Sequence, residues 1–523
     1  MTPRSTRRRA FAAVGVVLVL AAAAIVISGV AATGSEDPPA SPTAPHVKPD
    51  FTLKIGQPEG RPVQAGFLGF SIEFQAIRDY TGSDPHRINP VFVQLVRNLA
   101  GGRAPVIRIG GDSTDASWAP APGIHPPHQV TYKLTPSWYA TTAAAVHALG
   151  AKLTIGVNLG ADQPALAAVE GRRDVRAFGS ALQAFEIGNE PNVYNKIAAY
   201  RTPSGMPVLT RPPSFGYPQF REQFQAIARR LPPLALAGPA LAAGPKPVHG
   251  SWTEDMAGFM KSDPRVRDLT IHRYPLRNCF VAPSSPQYPT VLNLLSSYST
   301  RDLAAGIQRY VTLAHDAHRA LRIDELNSVA CHGKRGVSDT FASSLWSVDA
   351  LFELARLGVD GVNLHTLPNS AYQLFEFHHA NGNWSASVAP VYYGLYLFSQ
   401  AAPAGSRLLN IGGAGQVPGL SVWATRAPDG QVRAVIDNEN PIRSVKIGLR
   451  APAGTTSPAT LLRMQASGVH ARRGVTLGGA SFGADTTNGI LPVPRTLQLD
   501  RVNGLYSLSV PAGSAALVTF PRG

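Results

Sequence analysis

The 523-residue sequence predicts an α/β fold, a (β/α)8 TIM barrel followed by an antiparallel β-sandwich. Between residues 63 and 403, short apolar segments alternate with longer helical patterns, and polar residues or glycines recur where the apolar segments end. From residue 404 to residue 523, alternating segments follow one another at short intervals and are separated by Gly and Pro turns. Hydrophobic residues make up 44% of the chain and charged residues 15%, which indicates a large globular core.

Residues 1–32 are predicted to be a signal peptide or a membrane anchor and not part of the fold. Arginines at positions 4, 7, 8 and 9 precede a run of small apolar residues from 10 to 32. The run is long for a signal peptide and just long enough to span a bilayer, so cleavage and retention both stay open. Either outcome predicts a secreted or extracytoplasmic, membrane-anchored protein. Residues 33–49, rich in Ser and Pro, are predicted to be a flexible linker.

The formal net charge of +15 has two interpretations. A basic surface attracts polyanions by long-range steering, but the charge also follows from a compositional bias toward Arg, Ala, Gly and Pro. No run of Lys and Arg interleaved with aromatic residues is present, so we do not expect a nucleic acid partner. No spacing of His and Cys is typical of a metal site, so we expect neither a metal nor a cofactor.

Eight barrel strands can be placed along the chain from their apolar residues. Barrel strands 1 to 8 are predicted at residues 67–74, 106–109, 153–157, 185–189, 234–237, 269–274, 321–325 and 362–365. Helices fit between them, for example at 136–149, 217–230 and 301–320. Strands of the sandwich are predicted at 420–425, 432–437, 444–449, 459–464, 497–499 and 515–520.

Two of the predicted barrel strands end in glutamates. Glu190 follows strand 4 within Asn189-Glu190-Pro191, and Glu325 ends strand 7. The carboxyl ends of the strands form the face on which barrel enzymes carry out their chemistry, so both carboxylates are expected on one face. Glycoside hydrolysis needs two carboxyl groups that flank one bond, one as an acid and the other as a nucleophile or base.

The sequences around these glutamates resemble those of retaining (β/α)8 glycosidases. Residues 185–192, together with Glu325-Leu326-Asn327-Ser328 and the following Gly-Val-Ser-Asp-Thr-Phe at 336–341, resemble the β-glucuronidase and heparanase family, glycoside hydrolase family 79. The resemblance covers roughly residues 51 to 523. It implies a retaining exo-β-glucuronidase with Glu325 as the nucleophile and Glu190 as the acid/base, acting on a carbohydrate with a terminal uronic acid. It also implies that residues 50–62 form a strand that joins the sandwich.

Two other functions stay open. One is an endo-acting hydrolase of heparan- or hyaluronan-like chains, and the other is a non-catalytic glycan-binding surface protein with a decayed site. The segment Cys331-His332-Gly333 differs from the more glycine-rich loop of heparanase-like sequences. This difference counts against the endo-acting alternative.

The resemblance also implies roles for five substrate-binding residues. Asn189 is expected to hold the sugar 2-hydroxyl, and Tyr274, at the end of strand 6, is expected to donate a hydrogen bond to the nucleophile. Glu73, Asp112 and Tyr372 match positions that line the pocket for the terminal uronic acid, with Tyr372 near the 6-carboxylate.

Arg108 and Glu186 lie on even-numbered strands, which share layers inside a barrel. They can form an ion pair that merely satisfies two buried charges, or Arg108 can also face Glu325 and keep it ionised; we expect both. His272, by contrast, is expected only to fill the barrel interior.

The two cysteines, Cys279 and Cys331, follow the neighbouring strands 6 and 7. In an oxidising compartment they are expected to form a disulfide. The alternative is a pair of buried thiols.

Overall fold

The computed structural model describes residues 41–243, 252, 256–413, 417–455 and 458–521. The predicted signal peptide or anchor and the first part of the predicted linker, residues 33–40, lie outside the described residues. Among the residues that are described, no helix has the length and apolar character needed to cross a membrane.

Eight parallel strands of the described chain close into a barrel, so the predicted fold class is confirmed. Barrel strands 1 to 8 are Leu68–Glu73, Val106–Gly110, Lys152–Val157, Leu182–Ile187, Ala235–Ala243, Val266–Arg273, Ala320–Leu326 and Gly361–Thr366. Strand 8 pairs with strand 1 from Val362 opposite Leu68 to Thr366 opposite Ile72, which closes the barrel. Closure leaves no free sheet edge and brings all carboxyl ends of the strands to one face.

Helices surround the barrel. The described helices are Ile77–Thr81, Pro90–Leu99, Pro136–Leu149, Pro164–Phe178, Tyr217–Ala228, Met256–Ser262, Val291–Leu294, Arg301–Ala305, Gln308–Asp316, Phe341–Leu357 and Pro390–Ala401. Pro136–Leu149 has its predicted bounds because the Thr135 hydroxyl accepts a hydrogen bond from Trp138 N at its start, and Gly150, in the left-handed conformation, ends it.

Several predicted bounds differ from the structure by one to three residues, and three elements differ for a physical reason that the structure shows. Strand 4 ends at Ile187, because the chain turns at Gly188 (φ 83°), before Pro191 is reached. Strand 5 continues past Pro239 to Ala243, because the pairing with strand 6 shifts register between Gly238 and Leu241, where a proline does not interrupt the ladder. The single helix predicted at 301–320 is two shorter helices separated at Gly306 and Ile307, and its last predicted residue begins strand 7.

The C-terminal domain is built on one sheet of eleven described strands. These are Phe51–Glu59, Arg407–Gly413, Leu420–Arg426, Val432–Asn438, Val445–Arg450, Ala459–Gln465, Thr476–Leu477, Leu497–Leu499, Arg501–Val502, Leu505–Val510 and Ser514–Phe520. The rings of Tyr506 and Phe520 lie 5.0 Å apart although their strands are not neighbours in the sheet, so the sheet folds over its own apolar core as a sandwich does.

The strand before the barrel joins this domain, as predicted. Phe51–Glu59 pairs antiparallel with Arg407–Gly413 and parallel with Val445–Arg450, so one pairing in an otherwise antiparallel sheet is parallel. The largely buried helix Phe341–Leu357 lies between barrel and sheet. Its Phe352 stacks on Trp423 at 5.4 Å, and Trp423 Nε1 donates to Asp349 Oδ1 at 2.9 Å, so the helix links the two domains.

The loops on the carboxyl-end face carry extra strands. After strand 4 the chain forms the hairpin Ala198–Arg201 and Pro207–Leu209, and after strand 8 the hairpin Phe375–Ala380 and Asn383–Val388. Strands 4 and 8 are on opposite sides of the barrel, so the two hairpins rise on opposite sides of this face.

Candidate active site

The two predicted glutamates meet on the carboxyl-end face of the barrel. Glu325 lies within strand 7, and Glu190 lies three residues beyond strand 4. One carboxylate oxygen of each lies within 4.8 Å of the other and of a nitrogen of His272. The side chain of Glu190 is 22% exposed and that of Glu325 is 9% exposed, so Glu190 is the more accessible of the two carboxylates.

The backbone at Glu190 is in the left-handed region, with φ 49° and ψ 49°. Its N–H donates to the carbonyl of Ala240 on strand 5 at 2.9 Å, and its carbonyl accepts from Val193 N at 2.9 Å. A left-handed conformation is uncommon for a residue other than glycine and is found where surrounding contacts enforce it. The turn between strand 4 and Pro191 therefore holds Glu190 by hydrogen bonds from both of the peptide units that flank its Cα.

Glu325 is surrounded by hydrogen-bond donors and positive charge. Arg108 Nη1 donates to Oε2 at 2.8 Å, and the Tyr274 hydroxyl donates to Oε1 at 2.8 Å. His365 Nδ1 lies 3.4 Å from Oε1, and His272 Nδ1 lies 3.8 Å from Oε2. Burial raises the pKa of Glu325, but His365, His272, Arg108 and the Tyr274 hydroxyl together outweigh burial and lower it to about 2. Glu325 is therefore ionised across the neutral range, as a nucleophile must be.

Arg108 makes both of the contacts that were expected of it. Its Nε donates to Glu186 Oε2 at 2.7 Å, while Nη1 donates to Ser71 Oγ at 3.0 Å in addition to Glu325. Nη2 donates to Asn189 Oδ1 at 3.0 Å. The guanidinium is fully buried, so these charge-assisted bonds act in a medium that screens them little. One side chain thus fixes Glu325 and the amide next to Glu190.

The expectation that His272 only fills the interior is wrong. Its Nδ1 lies 2.8 Å from Glu190 Oε1, and its Nε2 lies 3.5 Å from Asp324 Oδ2. Burial lowers the pKa of His272, but Glu325 and Asp324 raise it well above its ordinary value. His272 lies in strand 6, and Tyr274 lies one residue beyond its end. The two are two residues apart, and this spacing, which places side chains on the same side of an extended chain, was the available signal.

Asn189 and Asp112 lie next to Glu190 and near each other. Asn189 Nδ2 donates to Asp112 Oδ1 at 3.1 Å, and Asn189 N donates to Asp115 Oδ2 at 3.2 Å. Asp115, which the sequence analysis did not single out, also accepts from the hydroxyl of Tyr194 and from the N–H groups of the loop after strand 3. Asp112 is exposed, so it remains available to a ligand.

Glu73 was expected to line the pocket, but its carboxylate is engaged elsewhere. The side chain is only 3% exposed and accepts from Asp112 N at 3.0 Å, from Ser113 N at 2.8 Å and from the Ser113 hydroxyl. A Cβ atom at Gly111, where φ is 82°, would lie 2.1 Å from Glu73 Oε1, so this close approach requires glycine. Glu73 therefore positions the loop that carries Asp112.

Tyr372 lies on the strand 8 side of Glu325. Its hydroxyl is 3.3 Å from His365 Nδ1, and its ring centroid is 6.3 Å from that of Tyr274. His365, which was predicted only as the last residue of strand 8, lies 2.8 Å from the Tyr274 hydroxyl and 3.4 Å from Glu73 Oε1. Sequence reasoning missed it because its partners come from three different strands.

Cys279 and Cys331 are joined by a disulfide, with Cα atoms 6.1 Å apart. The short strands Leu276–Arg277 and Val329–Ala330 pair beside it. The carbonyl of His332 accepts from Ala371 N at 2.8 Å. The loop after strand 7 is thus connected to the loops on both sides of it.

A metal is a poor fit to the one group of potential ligands found among the described residues. Glu190, His272 and Glu325 offer three ligand atoms within 4.8 Å of one another. His272, whose pKa is raised, must lose its proton before it can bind a metal. Arg108 already occupies Glu325 Oε2. The geometry suits proton transfer and nucleophilic attack.

Tyr274→Phe is expected to lower kcat/KM for a β-glycoside by roughly ten- to a hundredfold, because a hydrogen bond to a charged group contributes about 1.5–3 kcal/mol. The hydroxyl stabilises ionised Glu325, so its loss raises the pKa of Glu325 above about 2 and moves the acid limb of activity to higher pH. The pH profile of kcat/KM measures both effects. Tyr396→Phe, on the helix Pro390–Ala401, is the control, and an unmoved acid limb would contradict the role of the hydroxyl.

No protein-family model matches the chain. Two curated relatives, both named β-glucuronidase, match most of its length. The relative from Neurospora crassa is 24% identical over 544 aligned residues, which cover 88% of this chain and 94% of the relative. The relative from Aspergillus niger is 22% identical over 521 residues, which cover 88% and 91%.

Solved structures show the same fold. A 4-O-α-L-rhamnosyl-β-D-glucuronidase from Fusarium oxysporum matches with a TM-score of 0.68 and 19% identity, covering 90% of this chain and 99% of that one. A family 51 arabinofuranosidase from Xanthomonas axonopodis matches with a TM-score of 0.61 and 14% identity, covering 90% and 100%. The relatives named above confirm the resemblance of this chain to β-glucuronidases that its two glutamate motifs predicted.

Proposed function

We propose that this glycoside hydrolase is a retaining exo-β-glucuronidase, which removes a terminal β-linked glucuronic acid by double displacement. The observation that carries the proposal is the pair of carboxylates, Glu190 and Glu325, with oxygens within 4.8 Å of each other. Retaining enzymes hold the two carboxyl groups about 5–5.5 Å apart, whereas inverting enzymes leave about 6.5–9.5 Å for a water molecule. The β-glucuronidases among the relatives support the sugar.

In the first step, the Glu325 carboxylate attacks the anomeric carbon and Glu190 gives its proton to the departing glycosidic oxygen. The product is a glycosyl ester on Glu325. In the second step, Glu190 takes a proton from water, the water oxygen attacks the anomeric carbon, and the bond to Glu325 breaks. Arg108, Tyr274 and His365 stabilise the Glu325 carboxylate before the first step and after the second.

Asn189 is well placed to bind the sugar 2-hydroxyl. It directly precedes Glu190 in the chain. Arg108 holds its amide oxygen, and its amide nitrogen lies 3.1 Å from Asp112 Oδ1. A hydrogen bond at the 2-hydroxyl strengthens in the oxocarbenium-like transition state. His272, 2.8 Å from Glu190, is placed to exchange a proton with the acid/base.

Recognition of the 6-carboxylate is proposed for Tyr372 and the loop at residues 327–338. A Cβ atom at Gly333 would come within 3.0 Å of Tyr372 N, so the two backbones are adjacent. Within the described part of the chain, neither Gly333 N–H nor Tyr372 N–H donates a backbone hydrogen bond. Lys334 and Arg335, both exposed, add positive charge to this loop. Free N–H groups near cations favour a carboxylate over a hydroxymethyl group.

The alternatives have less support. A decayed, non-catalytic site would not need both glutamates together with Arg108, Tyr274 and Asn189 in mutual hydrogen-bond contact. Endo-action requires a cleft that is open at both ends, and its test is the internal cutting of a glucuronic-acid-containing polymer.

We also propose that the enzyme acts outside the cytoplasm, because a disulfide joins two of its loops and residues 1–32 have the pattern of a targeting segment.

Nitrophenyl β-glucuronide is expected to be turned over with a kcat/KM at least about a hundredfold higher than that for nitrophenyl β-glucoside or β-galactoside. A neutral hydroxymethyl group leaves buried donors unpaired, at a cost of about 1–3 kcal/mol each, and two such losses give this discrimination. Equal or faster turnover of a neutral sugar would leave a retaining β-glycosidase and remove the glucuronidase assignment.

A further inference from the structure

The carboxylate of Asp115, which has no part in the mechanism above, joins three loops on the carboxyl-end face of the barrel. Asp115 itself follows strand 2. Its Oδ1 accepts from the N–H groups of Leu159 and Gly160, in the loop after strand 3, at 3.0 and 2.8 Å. Its Oδ2 accepts from Asn189 N, after strand 4, at 3.2 Å and from the Tyr194 hydroxyl. Four donors use the acceptor positions that an ionised carboxylate offers.

Tyr194 closes the turn that carries Glu190. Its side chain is buried, and its hydroxyl, which donates to Asp115, also lies 3.3 Å from Asn189 N. The Asn189 N–H is therefore shared between the carboxylate and the hydroxyl. A Cβ atom at Gly188, where φ is 83°, would lie 2.9 Å from the Tyr194 hydroxyl oxygen, so glycine lets the hydroxyl reach the start of the turn.

Arg211 fixes the same contacts from the other side. Its Nη1 and Nη2 donate to the carbonyls of Gly160 and Leu159, both at 2.8 Å, so these two residues lie between the guanidinium group and the Asp115 carboxylate. Its guanidinium carbon lies 5.7 Å from the centroid of the Tyr194 ring, and its backbone N–H donates to the Tyr194 carbonyl at 3.1 Å. The carboxylate and the tyrosine ring are thus each held by a second set of contacts.

Glu190 depends on this turn for its position. Glu325 lies within strand 7, where the strand ladder fixes its backbone, whereas Glu190 lies beyond the end of strand 4. Its left-handed backbone needs surrounding contacts to enforce it. The hydrogen bonds described above hold the two peptide units that flank its Cα, and Asp115 with Tyr194 holds the preceding unit, through Asn189 N–H.

We propose that Asp115 and Tyr194 are positioning residues for the acid/base Glu190, and that they set the place of its carboxyl group relative to the glycosidic oxygen. A general acid must lie within hydrogen-bond reach of the atom that it protonates, and a small displacement lowers the rate strongly. Their effect is therefore confined to the two events that need Glu190, which are protonation of a poor leaving group and activation of water. The inference rests on the proposed function for the roles of Glu190 and Glu325.

Tyr194→Phe is the first test, because it removes the hydroxyl and keeps the ring that contacts Arg211 and Phe215. For phenyl β-glucuronide, whose leaving group needs a proton, kcat/KM is expected to fall about tenfold. For dinitrophenyl β-glucuronide, whose leaving group departs without a proton, kcat/KM is expected to change less than about twofold. The side chain of Asn189 has its own hydrogen-bond partners, so its contact with the sugar is expected to persist with both substrates.

The second step of the reaction gives an independent readout. With the dinitrophenyl substrate, hydrolysis of the ester on Glu325 limits kcat, and water needs Glu190 as its base. In Tyr194→Phe this kcat is expected to fall about tenfold, and azide, which needs no base, is expected to restore it. Asp115→Asn places an NH2 group against N–H or O–H donors, so the same pattern is expected with a loss of about a hundredfold.

Tyr392→Phe is the matched control. Its hydroxyl is also buried, and it donates to the Leu95 carbonyl at 2.8 Å between two helices outside the barrel. This variant is expected to keep the wild-type ratio of kcat/KM for the two substrates. An equal loss on both substrates in Tyr194→Phe and Asp115→Asn, with no effect of azide, would overturn the inference, and so would unchanged turnover of the phenyl glucuronide.

Failure of the proposed function is distinguishable from failure of this inference. If a different β-glycoside is turned over and glucuronides are not, the substrate assignment fails, and the same comparison of leaving groups on that sugar tests the positioning. If no β-glycoside is turned over, the catalytic assignment fails, and amide hydrogen exchange of residues 188–194 tests the turn. Exchange about tenfold faster in Tyr194→Phe than in wild type then supports the inference, and equal exchange contradicts it.

Discussion

Glu325→Gln is expected to lower kcat for nitrophenyl β-glucuronide by roughly 10⁴-fold or more, the size of loss that follows removal of a covalent nucleophile. The amide keeps the shape of the side chain, and its single oxygen can still accept from Arg108, whereas its NH2 group replaces the oxygen that accepted from Tyr274. It cannot form the glycosyl ester. Steady-state kinetics of the purified variant measure the loss.

Glu222→Gln, on the exposed surface of helix Tyr217–Ala228, is the matched control and is expected to keep full activity. Thermal unfolding of both variants separates chemistry from stability, because Glu325 is one of the carboxylates that neutralise buried Arg108. A folded Glu325→Gln variant within about tenfold of wild type would exclude Glu325 as the nucleophile.

Glu190→Ala is expected to lower kcat by about 10²- to 10⁴-fold for a substrate with a poor leaving group, because such a group needs a proton when it departs. With an activated leaving group the ester on Glu325 still forms and then accumulates, since no base activates water. Added azide needs no base, so it is expected to restore turnover and to give the β-glucuronosyl azide, whose configuration is retained.

The same experiment on Glu325→Ala distinguishes the two roles. There azide replaces the nucleophile and attacks the sugar directly, so the expected product is the α-glucuronosyl azide with inverted configuration. If the Glu325→Ala variant gave the β-azide and the Glu190→Ala variant the α-azide, the assignment of the two glutamates would be reversed.

The barrel could be predicted from the sequence because each strand is a short apolar run whose end is marked by a polar residue or glycine. The placement of Glu190 and Glu325 on one face could also be predicted, since the carboxyl ends of parallel strands must share one face of a closed barrel. Arg108 was predicted from its position on an even-numbered strand, and its contact with Glu186, on another even-numbered strand, follows from the layers of the interior.

The features that could not be predicted from the sequence share one physical cause, which is contact between strands that are distant in sequence. Strand 5 continues past Pro239 because its neighbour shifts register there, which no local pattern encodes. Glu73 binds the loop after strand 2 because Gly111 lets two backbone N–H groups reach its carboxylate. His272 and His365 gain their roles from the carboxylates of Glu190 and Glu325, which meet them only after the barrel closes.

The anomeric configuration of the first product tests the central claim most directly. Proton NMR during the hydrolysis of a β-glucuronide follows the anomeric signal of the released sugar before mutarotation mixes the two forms. Glu190 and Glu325, with oxygens within 4.8 Å, predict β-glucuronic acid as the first product. Initial release of α-glucuronic acid would contradict a double displacement through Glu325.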